Sequence, residues 1–285
     1  MVIPGVTLGP NKHYKYNIQM KQLSLILLAA LTAQALTGQY GKVFDNLSMQ
    51  SEILEMERNY AVYLPPDYEH SERSYPVLYL LHGGGDDQTG WIQFGEVLHI
   101  ADQAIKKGKA TPMVIVMPDA NTGQRGYFND PEDNWRYEDF FFEELMPHVE
   151  KKFRIKGEKR YRAVAGLSMG GGGTFMYALH HPELFSSACP LSASCGPLSL
   201  DDMDRYLERR GWGDIPEKKV QEWYMRHSAL ELSVLYQPSG QDGPRVTTLL
   251  PPFVEQRDLF AATSCSICCR TQVVPAKRSK CAVFH

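Results

Sequence analysis

The sequence predicts an α/β fold in which helices flank a mostly parallel, doubly wound sheet. Apolar runs of strand length alternate along the chain with segments whose apolar residues recur at helical spacing. Several of the runs end in turns that contain glycine or proline. The chain has 285 residues, of which 43% are apolar, so it can bury one sizeable core. We therefore expect one α/β domain.

Five segments are predicted to be strands, because each is an apolar run bounded by turn residues. Their continuous apolar character suits parallel strands that are covered on both faces. The first run stops at Pro65 and Pro66, and the second opens into a row of glycines. The five stretches read NYAVYLPPDY, YPVLYLLHGGGDD, MVIVMPDAN, YRAVAGLS and FSSACPLSAS.

Helices are predicted between these strands. The stretch EVLHIADQAIKKG has apolar residues at helical spacing, and Gly108 follows it where glycine commonly ends a helix. The stretch YEDFFFEELMPHVEKKF has acidic residues early and lysines late, as the helix dipole favours, and its Pro147 should kink or split it. A third helix, GGGTFMYALHHPELF, follows the fourth strand.

The region from Gly196 to Leu232 is polar and helix-like, with tryptophans interspersed. It predicts a small helical cap insertion at the C-terminal edge of the sheet, and a helical hairpin that only packs on the domain is the alternative. We divide the chain into an N-terminal extension with a signal peptide at 1–38, the α/β domain at 39–232, and a C-terminal segment at 233–285 with weak periodicity.

Residues 20–35, MKQLSLILLAALTAQA, have the pattern of a secretory signal peptide. A lysine precedes an apolar stretch too short to span a bilayer, and Ala33-Gln34-Ala35 follows as a cleavage pattern. We expect a mature protein that begins soon after Ala35, is secreted or periplasmic, and has no membrane span after cleavage. A buried N-terminal helix is the alternative interpretation.

The charge distribution argues against a nucleic-acid partner. The formal net charge is −3, the isoelectric point is near 6.3, and the basic residues are scattered. A nucleic-acid-binding protein usually concentrates lysine and arginine on one face, where they neutralise phosphates. We therefore expect no polyanionic partner.

The stretch Gly166-Leu167-Ser168-Met169-Gly170 matches the G-x-S-x-G nucleophile elbow. Glycines remove the side chains that would collide as the backbone turns sharply from strand to helix, and the serine hydroxyl then projects into solvent. The helix that follows directs its N-terminal amides at the place where negative charge develops. An ordinary glycine-rich turn is the alternative, and the apolar run before the motif argues against it.

The glycine-rich loop after the second predicted strand, LYLLHGGGDD, supplies a second part of the same chemistry. In an elbow-type hydrolase, one amide of such a loop and the amide of the residue after the nucleophile form the oxyanion hole. We predict Gly84 and Met169 as these two donors. His82 in this loop is interpreted as a structural hydrogen-bonding residue, with a role as catalytic base as the alternative.

These motifs resemble the putative-esterase (esterase D-like) family of α/β-hydrolases, which includes feruloyl and acetylxylan esterases. The similarity covers about residues 50–232 and includes VLYLLHGGGDDQTGW, VMPDANTG and YRAVAGLSMGGGGTFMYALHHPELF. It implies an α/β-hydrolase fold, Ser168 as the nucleophile, and the amides of Gly84 and Met169 as the oxyanion hole. It implies no metal or organic cofactor.

The resemblance also implies that the loop NDPEDNWRYEDF lies near the substrate. Tyr127, Trp135 and Tyr137 would then stack on an aryl or sugar group. Packing of these rings in the core is the alternative.

The acid and the base of a catalytic triad are not recognisable in the family's usual context. They should follow the serine in the order acid, then histidine. Asp242 and His285 have that order and are our candidates, although a terminal histidine has nothing after it to hold its rotamer. The alternative is that the last fifty or so residues are a frameshifted or mis-spliced end.

The other late polar residues fit a catalytic or metal role less well. His180 and His181 end the helix that begins at the nucleophile, and His227 lies in the cap. Cysteines crowd the C-terminal segment, but adjacent cysteines fit the spacing of a zinc site poorly. They are Cys265, Cys268, Cys269 and Cys281.

The sequence therefore predicts a secreted serine esterase that acts on feruloyl or acetyl esters of plant polysaccharides. Two other functions stay open at this point. The acyl group can pass to a sugar hydroxyl instead of water, or the chain can be a truncated, non-catalytic hydrolase-like protein that binds its ligand without turnover.

Overall fold

The computed structural model describes residues 40–120, 126–197, 199–213, 215–228 and 232. The predicted regions 1–38 and 233–285 lie outside these residues, as do Asp242 and His285. Within the described ranges, no helix is both long enough and apolar enough to cross a bilayer.

In the part of the chain that the structure describes, six strands form one sheet in the order β1-β2-β4-β3-β5-β6. The four strands from β3 to β6 pair in parallel, and β1 and β2 form an antiparallel hairpin at one edge of the sheet. The predicted mostly parallel sheet is therefore confirmed. The strands are β1 (Lys42–Ser51), β2 (Met56–Leu64), β3 (Val77–Leu81), β4 (Val114–Pro118), β5 (Arg162–Leu167) and β6 (Ser187–Leu191).

Strand β1 is the element that the apolar pattern did not predict. Its sequence, KVFDNLSMQS, has no continuous apolar run, and most of its side chains are exposed or partly exposed. It forms because its backbone pairs with β2 over nearly its whole length, with one irregularity between Phe44 and Leu47. A strand at the edge of a sheet can form through backbone hydrogen bonds to its neighbour even when few of its side chains are buried.

Helices cover both faces of this sheet. Gly108 follows α2 with a φ of +66°, as predicted for a helix-terminating glycine. Two further helices follow β6, in the region predicted to form a helical cap. The helices are α1 (Gly90–Gln93), α2 (Val97–Lys106), α3 (Tyr137–Asp139), α4 (Met146–Lys152), α5 (Met169–His180), α6 (Met203–Arg210) and α7 (Glu217–His227).

The predicted disruption at Pro147 is present as a wide turn. Between α3 and α4, residues Phe140–Leu145 adopt π-helical geometry, and Pro147 lies in the first turn of α4. Proline has no N–H to donate to the preceding turn and its ring crowds the carbonyl there, so the helix accommodates it by widening. The widened segment buries Phe140 and Phe141 in the main apolar core.

Alternate residues along the strands face two apolar layers. Tyr60 and Val62 of β2 contribute to the layer that contains Phe140 and Phe141. Ala61 and Tyr63 of the same strand contribute to the layer under α2. This alternation follows from the two-residue period of a strand, and it is why the buried strands are apolar throughout.

Helix α5 packs against the sheet more closely than any side chain would allow. A Cβ atom placed on Gly170 would lie 2.6 Å from the carbonyl oxygen of His82 and would also collide with that of Leu81. The first turn of α5 therefore rests on the backbone at the end of β3. This contact brings the turn after β5 next to the loop after β3.

We expect Gly170→Ala to destabilise the protein by about 3 kcal/mol or more, because the added methyl group meets backbone atoms that cannot rotate away. Gly213→Ala is the matched control, since a Cβ there meets nothing within 4 Å, and we expect it to change stability by no more than about 0.5 kcal/mol. Urea unfolding of both variants measures the difference. Equal stability of the two would contradict the close packing.

Candidate active site

Ser168 lies at the sharp turn between β5 and α5, as the elbow motif predicts. Its backbone has φ 55° and ψ −110°, a conformation that residues other than glycine rarely adopt. Ser168 is exposed, whereas Gly166 before it and Gly170 after it are buried. The turn thus presents one hydroxyl to solvent at the N-terminus of a twelve-residue helix.

The end of β6 holds this turn from the other side. The Ser168 N–H donates to the carbonyl oxygen of Leu191 at 2.9 Å. The Ser168 carbonyl oxygen accepts from the N–H of Gly172 and from the N–H of Ser194, both at 2.9 Å. Both polar backbone groups of the strained residue are therefore satisfied, and three elements fix its position.

The loop after β3 lies against the turn at Ser168. A Cβ on Gly83 would be 3.8 Å from the Ser168 Cβ, and one on Gly84 would be 4.0 Å from the Met169 Cβ. The structure therefore brings together Gly84, Ser168 and Met169, the three residues that the sequence assigned to attack and oxyanion stabilisation. The role of the two amides as an oxyanion hole stays a prediction.

His82 has both ring nitrogens engaged in the described structure. Its Nε2 accepts from the Ala120 N–H at 2.8 Å, and its Nδ1 lies 2.8 Å from the carbonyl oxygen of Gly83. These partners are compatible with a neutral ring that carries its proton on Nδ1. Burial lowers the pKa of His82, which favours the same state. His82 is thus the structural hydrogen-bonding residue that the sequence analysis preferred.

The three aromatic residues proposed to stack on substrate are core residues in this structure. Tyr127 and Tyr137 have no exposed surface and Trp135 is 3% exposed. The Tyr127 hydroxyl donates to the His82 carbonyl oxygen at 3.2 Å, and the Tyr137 hydroxyl donates to that of Asp119 at 2.8 Å. A ring without a free face cannot stack on a ligand, so core packing, the alternative interpretation, describes these residues.

Comparison with known proteins supports the fold and the motif. The Putative esterase family matches residues 51–246. An esterase of Mycobacterium tuberculosis is 43% identical over 143 residues, which is 49% of this chain and 29% of that protein. A solved ferulic acid esterase is 32% identical with a TM-score of 0.58, over 70% of this chain and 72% of that one. This chain belongs to the putative esterase family.

The family assignment confirms the predicted α/β-hydrolase fold, since the structural neighbours are esterases of that fold. A further relative is the endo-1,4-beta-xylanase/feruloyl esterase of Xylanibacter ruminicola. It is 39% identical over 133 residues, which is 44% of this chain and 18% of that protein. The chain spans less than a third of the length of this relative and of the mycobacterial one.

The described histidines do not supply a base for Ser168, the predicted nucleophile. In the part of the chain that the structure describes, the Ser168 hydroxyl has no histidine within hydrogen-bonding distance. The candidate acid Asp242 and base His285 lie outside the described residues. They stay predictions.

The late histidines that are described gather around the buried Glu138 instead. Its carboxylate is 2.6 Å from His180 Nδ1, 3.6 Å from His181 Nε2 and 4.0 Å from His227 Nε2. His227 also stacks on Trp223, with ring centroids 4.2 Å apart. The sequence analysis did not connect these residues, because Glu138 is more than 40 positions from each histidine.

His180 is the doubly protonated member of this cluster. Its Nδ1 faces the Glu138 carboxylate and its Nε2 lies 2.7 Å from the carbonyl oxygen of Arg226. Both partners only accept hydrogen bonds, so both ring nitrogens must donate. His180, at the end of α5, therefore connects Glu138 in α3 with the end of α7.

The pKa shifts agree with this ion pair. Burial, the largest single influence, would lower the pKa of His180, but the hydrogen bond to Glu138, the charge of Glu138 and the hydrogen bond to the Arg226 carbonyl oxygen together raise that pKa. Burial, the largest single influence, would raise the pKa of Glu138, but its interactions with His180, His181 and His227 together lower it to about 2. Burial lowers the pKa of His227 to about 4, so His227 is neutral near pH 7.

We expect the coupling between Glu138 and His180 to depend on pH. A raised histidine pKa gives stabilisation that is present below about pH 6.5 and is lost as pH rises through the folded value. A lowered carboxyl pKa gives stabilisation that is present above its ordinary value of 4.5 and is lost toward about 2. A double-mutant cycle with Glu138→Gln and His180→Gln should give about 1–3 kcal/mol at pH 6 and less at pH 9.

The exposed pair of Lys218 and Glu222, 3.7 Å apart, is the control, and its cycle should give a much smaller coupling. Because the pKa of His227 is lowered in the folded state, its protonation favours the unfolded state as pH falls below about 6.5. His227 is present in all four proteins of the cycle, so this effect cancels from the coupling. A Glu138–His180 coupling that is the same at pH 6 and pH 9 would contradict the expectation that His180 loses its proton between these pH values.

Proposed function

We propose that this chain is a serine esterase. Ser168 attacks the ester carbonyl, the amides of Gly84 and Met169 hold the tetrahedral oxyanion, and water resolves the acyl-enzyme. The observation that carries the proposal is the exposed, positive-φ Ser168 at a helix N-terminus, with the glycine loop against Met169. Membership of the putative esterase family supports it.

The strained turn serves this reaction in two ways. Because Ser168 is the residue before the helix, the amide that follows it is not used by an earlier turn and points outward. The helix dipole adds partial positive charge where the oxyanion forms. One such donor is worth about 3 kcal/mol of transition-state stabilisation.

A serine hydroxyl also needs a base, and we propose that it comes from the C-terminal segment. Asp242 and His285 have the acid-then-histidine order of this fold. An oxyanion hole alone supports some turnover, and Asp242 and His285 are required for turnover above that level. That residual level is still roughly a thousandfold above the reaction in water.

For the substrate, we propose feruloyl or acetyl esters of plant polysaccharides. The solved neighbour is a ferulic acid esterase, and the relative from Xylanibacter ruminicola combines a xylanase and a feruloyl esterase in its name. The predicted signal peptide at 20–35 agrees with a substrate outside the cell. We therefore also propose export of the protein.

Ser168→Ala should abolish labelling by a fluorophosphonate probe and reduce turnover of methyl ferulate and p-nitrophenyl acetate by about a thousandfold or more. Ser194→Ala is the matched control, because Ser194 bonds to the nucleophile turn through its backbone N–H and not through its hydroxyl. It should keep labelling and turnover. Labelling of Ser168→Ala at another serine would refute the nucleophile assignment.

Expression of the full chain in a host with an export system should give a mature protein that begins soon after Ala35. The reason is the small-residue pattern Ala33-Gln34-Ala35 behind a short apolar stretch. Intact-mass measurement of the exported fraction tests this, with Ala33→Lys and Ala35→Lys as variants that should block cleavage. An exported protein that retains residues 1–35 would contradict the proposal.

A further inference from the structure

The loop after β3 contains three consecutive glycines, so its own sequence leaves the direction of its peptide groups open. Gly83, Gly84 and Gly85 have no Cβ atoms, and glycine adopts backbone angles that other residues avoid. Gly85 uses this freedom, with a φ of +83°. A rotation of the peptide between Gly83 and Gly84 would turn the proposed oxyanion donor away from Ser168. This peptide therefore needs a contact that holds its direction.

His82 makes the shorter of two hydrogen bonds to this peptide group. Its Nδ1 lies 2.8 Å from the Gly83 carbonyl oxygen. The same oxygen accepts from the Asp86 N–H at 3.3 Å, which closes the turn from Gly83 to Asp86. The first distance is typical of a hydrogen bond, whereas the second lies just beyond the usual range. The His82 side chain is therefore the stronger of these two restraints.

The end of β4 determines which ring nitrogen of His82 carries the proton. The Ala120 N–H donates to Nε2 at 2.8 Å, so Nε2 presents a lone pair. The neutral ring then carries its proton on Nδ1, directed at the Gly83 carbonyl oxygen. The other tautomer would oppose two donors at Nε2 and two acceptors at Nδ1. The Asp119 carboxylate is 3.8 Å from Nε2, beyond hydrogen-bonding distance, and pairs with Arg58 at 2.9 Å.

The direction of the Gly84 N–H follows from that of the Gly83 carbonyl. The peptide between these residues is trans, so its C=O and N–H point in opposite directions. The carbonyl oxygen faces the buried ring of His82, and the N–H on its other side belongs to an exposed residue. Within the described residues, the Gly84 N–H donates to no other group. It is therefore available beside Met169, whose Cβ would be 4.0 Å from a Cβ on Gly84.

We propose that His82 is a positioning residue for the oxyanion hole, because its Nδ1–H holds the Gly83–Gly84 peptide with the Gly84 N–H directed at the place where the oxyanion forms. This inference rests on the proposed esterase activity. The hydrogen bond exists before substrate binds, so the donor needs no reorientation in the transition state. The Ala120 N–H, at the end of the neighbouring strand, contributes by fixing the tautomer of His82.

Two variants of similar shape test the hydrogen bond. His82→Asn places an amide N–H at the position of Nδ1 and keeps the donor, whereas His82→Leu has nearly the same shape as asparagine and no donor. With p-nitrophenyl acetate, His82→Leu should lower kcat about a hundredfold and leave KM within about twofold, because the donor acts on the oxyanion more than on the ground-state carbonyl. His82→Asn should recover about tenfold or more of that loss. Rates are expressed per serine that reacts with a fluorophosphonate at completion.

Tyr127→Phe is the matched control, because the buried Tyr127 hydroxyl donates to the His82 carbonyl oxygen and so holds the preceding peptide group. It should lower the free energy of unfolding in urea by about 1 kcal/mol or more but change kcat by less than about threefold. Three results overturn the proposal. They are a His82→Leu kcat equal to that of the wild type, equal kcat values for His82→Leu and His82→Asn, and a Tyr127→Phe loss as large as that of His82→Leu.

A measurement on the wild-type chain separates failure of this inference from failure of the esterase activity. Ring 15N chemical shifts of histidine-labelled protein near neutral pH identify the protonated nitrogen, and the signal that is absent from either His82 variant assigns His82. A proton on Nδ1 with none on Nε2 supports the proposed peptide orientation, even if Ser168 reacts with no fluorophosphonate and no ester is turned over. A proton on Nε2 overturns the inference, whatever the turnover of the wild type.

Discussion

Direct contact between two backbone turns is the constraint on which the rest of the site depends. Strands β3 and β5 are parallel neighbours, so their C-terminal ends lie at the same edge of the sheet. Gly170 rests on the carbonyl oxygens that end β3, and Gly83 lies beside Ser168. A side chain at Gly170 would collide with those carbonyl oxygens and push the two turns apart, so the candidate oxyanion donors would no longer share one place.

The strain at Ser168 is sustained by the third strand of this group. A backbone conformation such as φ 55° costs about 1–3 kcal/mol and persists only when the surroundings determine it. Here the Leu191 carbonyl and the Ser194 N–H hold the two polar groups of Ser168. The elbow is therefore a property of three adjacent strands and not of the pentapeptide alone.

The cap is tied to the domain by polar contacts as well as by packing. His180 links Glu138 to the carbonyl oxygen of Arg226, and the Trp223 indole N–H donates to the Asn129 carbonyl oxygen at 2.9 Å. Both contacts join α7 to the segment that begins at Gly126. At Gly126 the same segment lies beside Met169, because a Cβ placed there would be 3.5 Å from the Met169 Sδ. The segment that holds α7 therefore also lies next to the residue that follows Ser168.

Local patterns in the sequence determined a large part of this protein. Apolar runs and turn residues predicted five of the six described strands, and the G-x-S-x-G motif predicted an exposed serine at a strand-to-helix turn, because both signals depend on residues that are close in the chain.

The tertiary structure alone decided what depends on residues far apart. Strand β1 forms by pairing with its neighbour, Tyr127 and Tyr137 lie in the core although aromatic rings suit either a core or a binding face, and Glu138 collects histidines more than 40 positions away. The burial of a ring and the charge of a histidine depend on the residues that the fold places around them. The spacing of residues along the sequence does not reveal which residues those are.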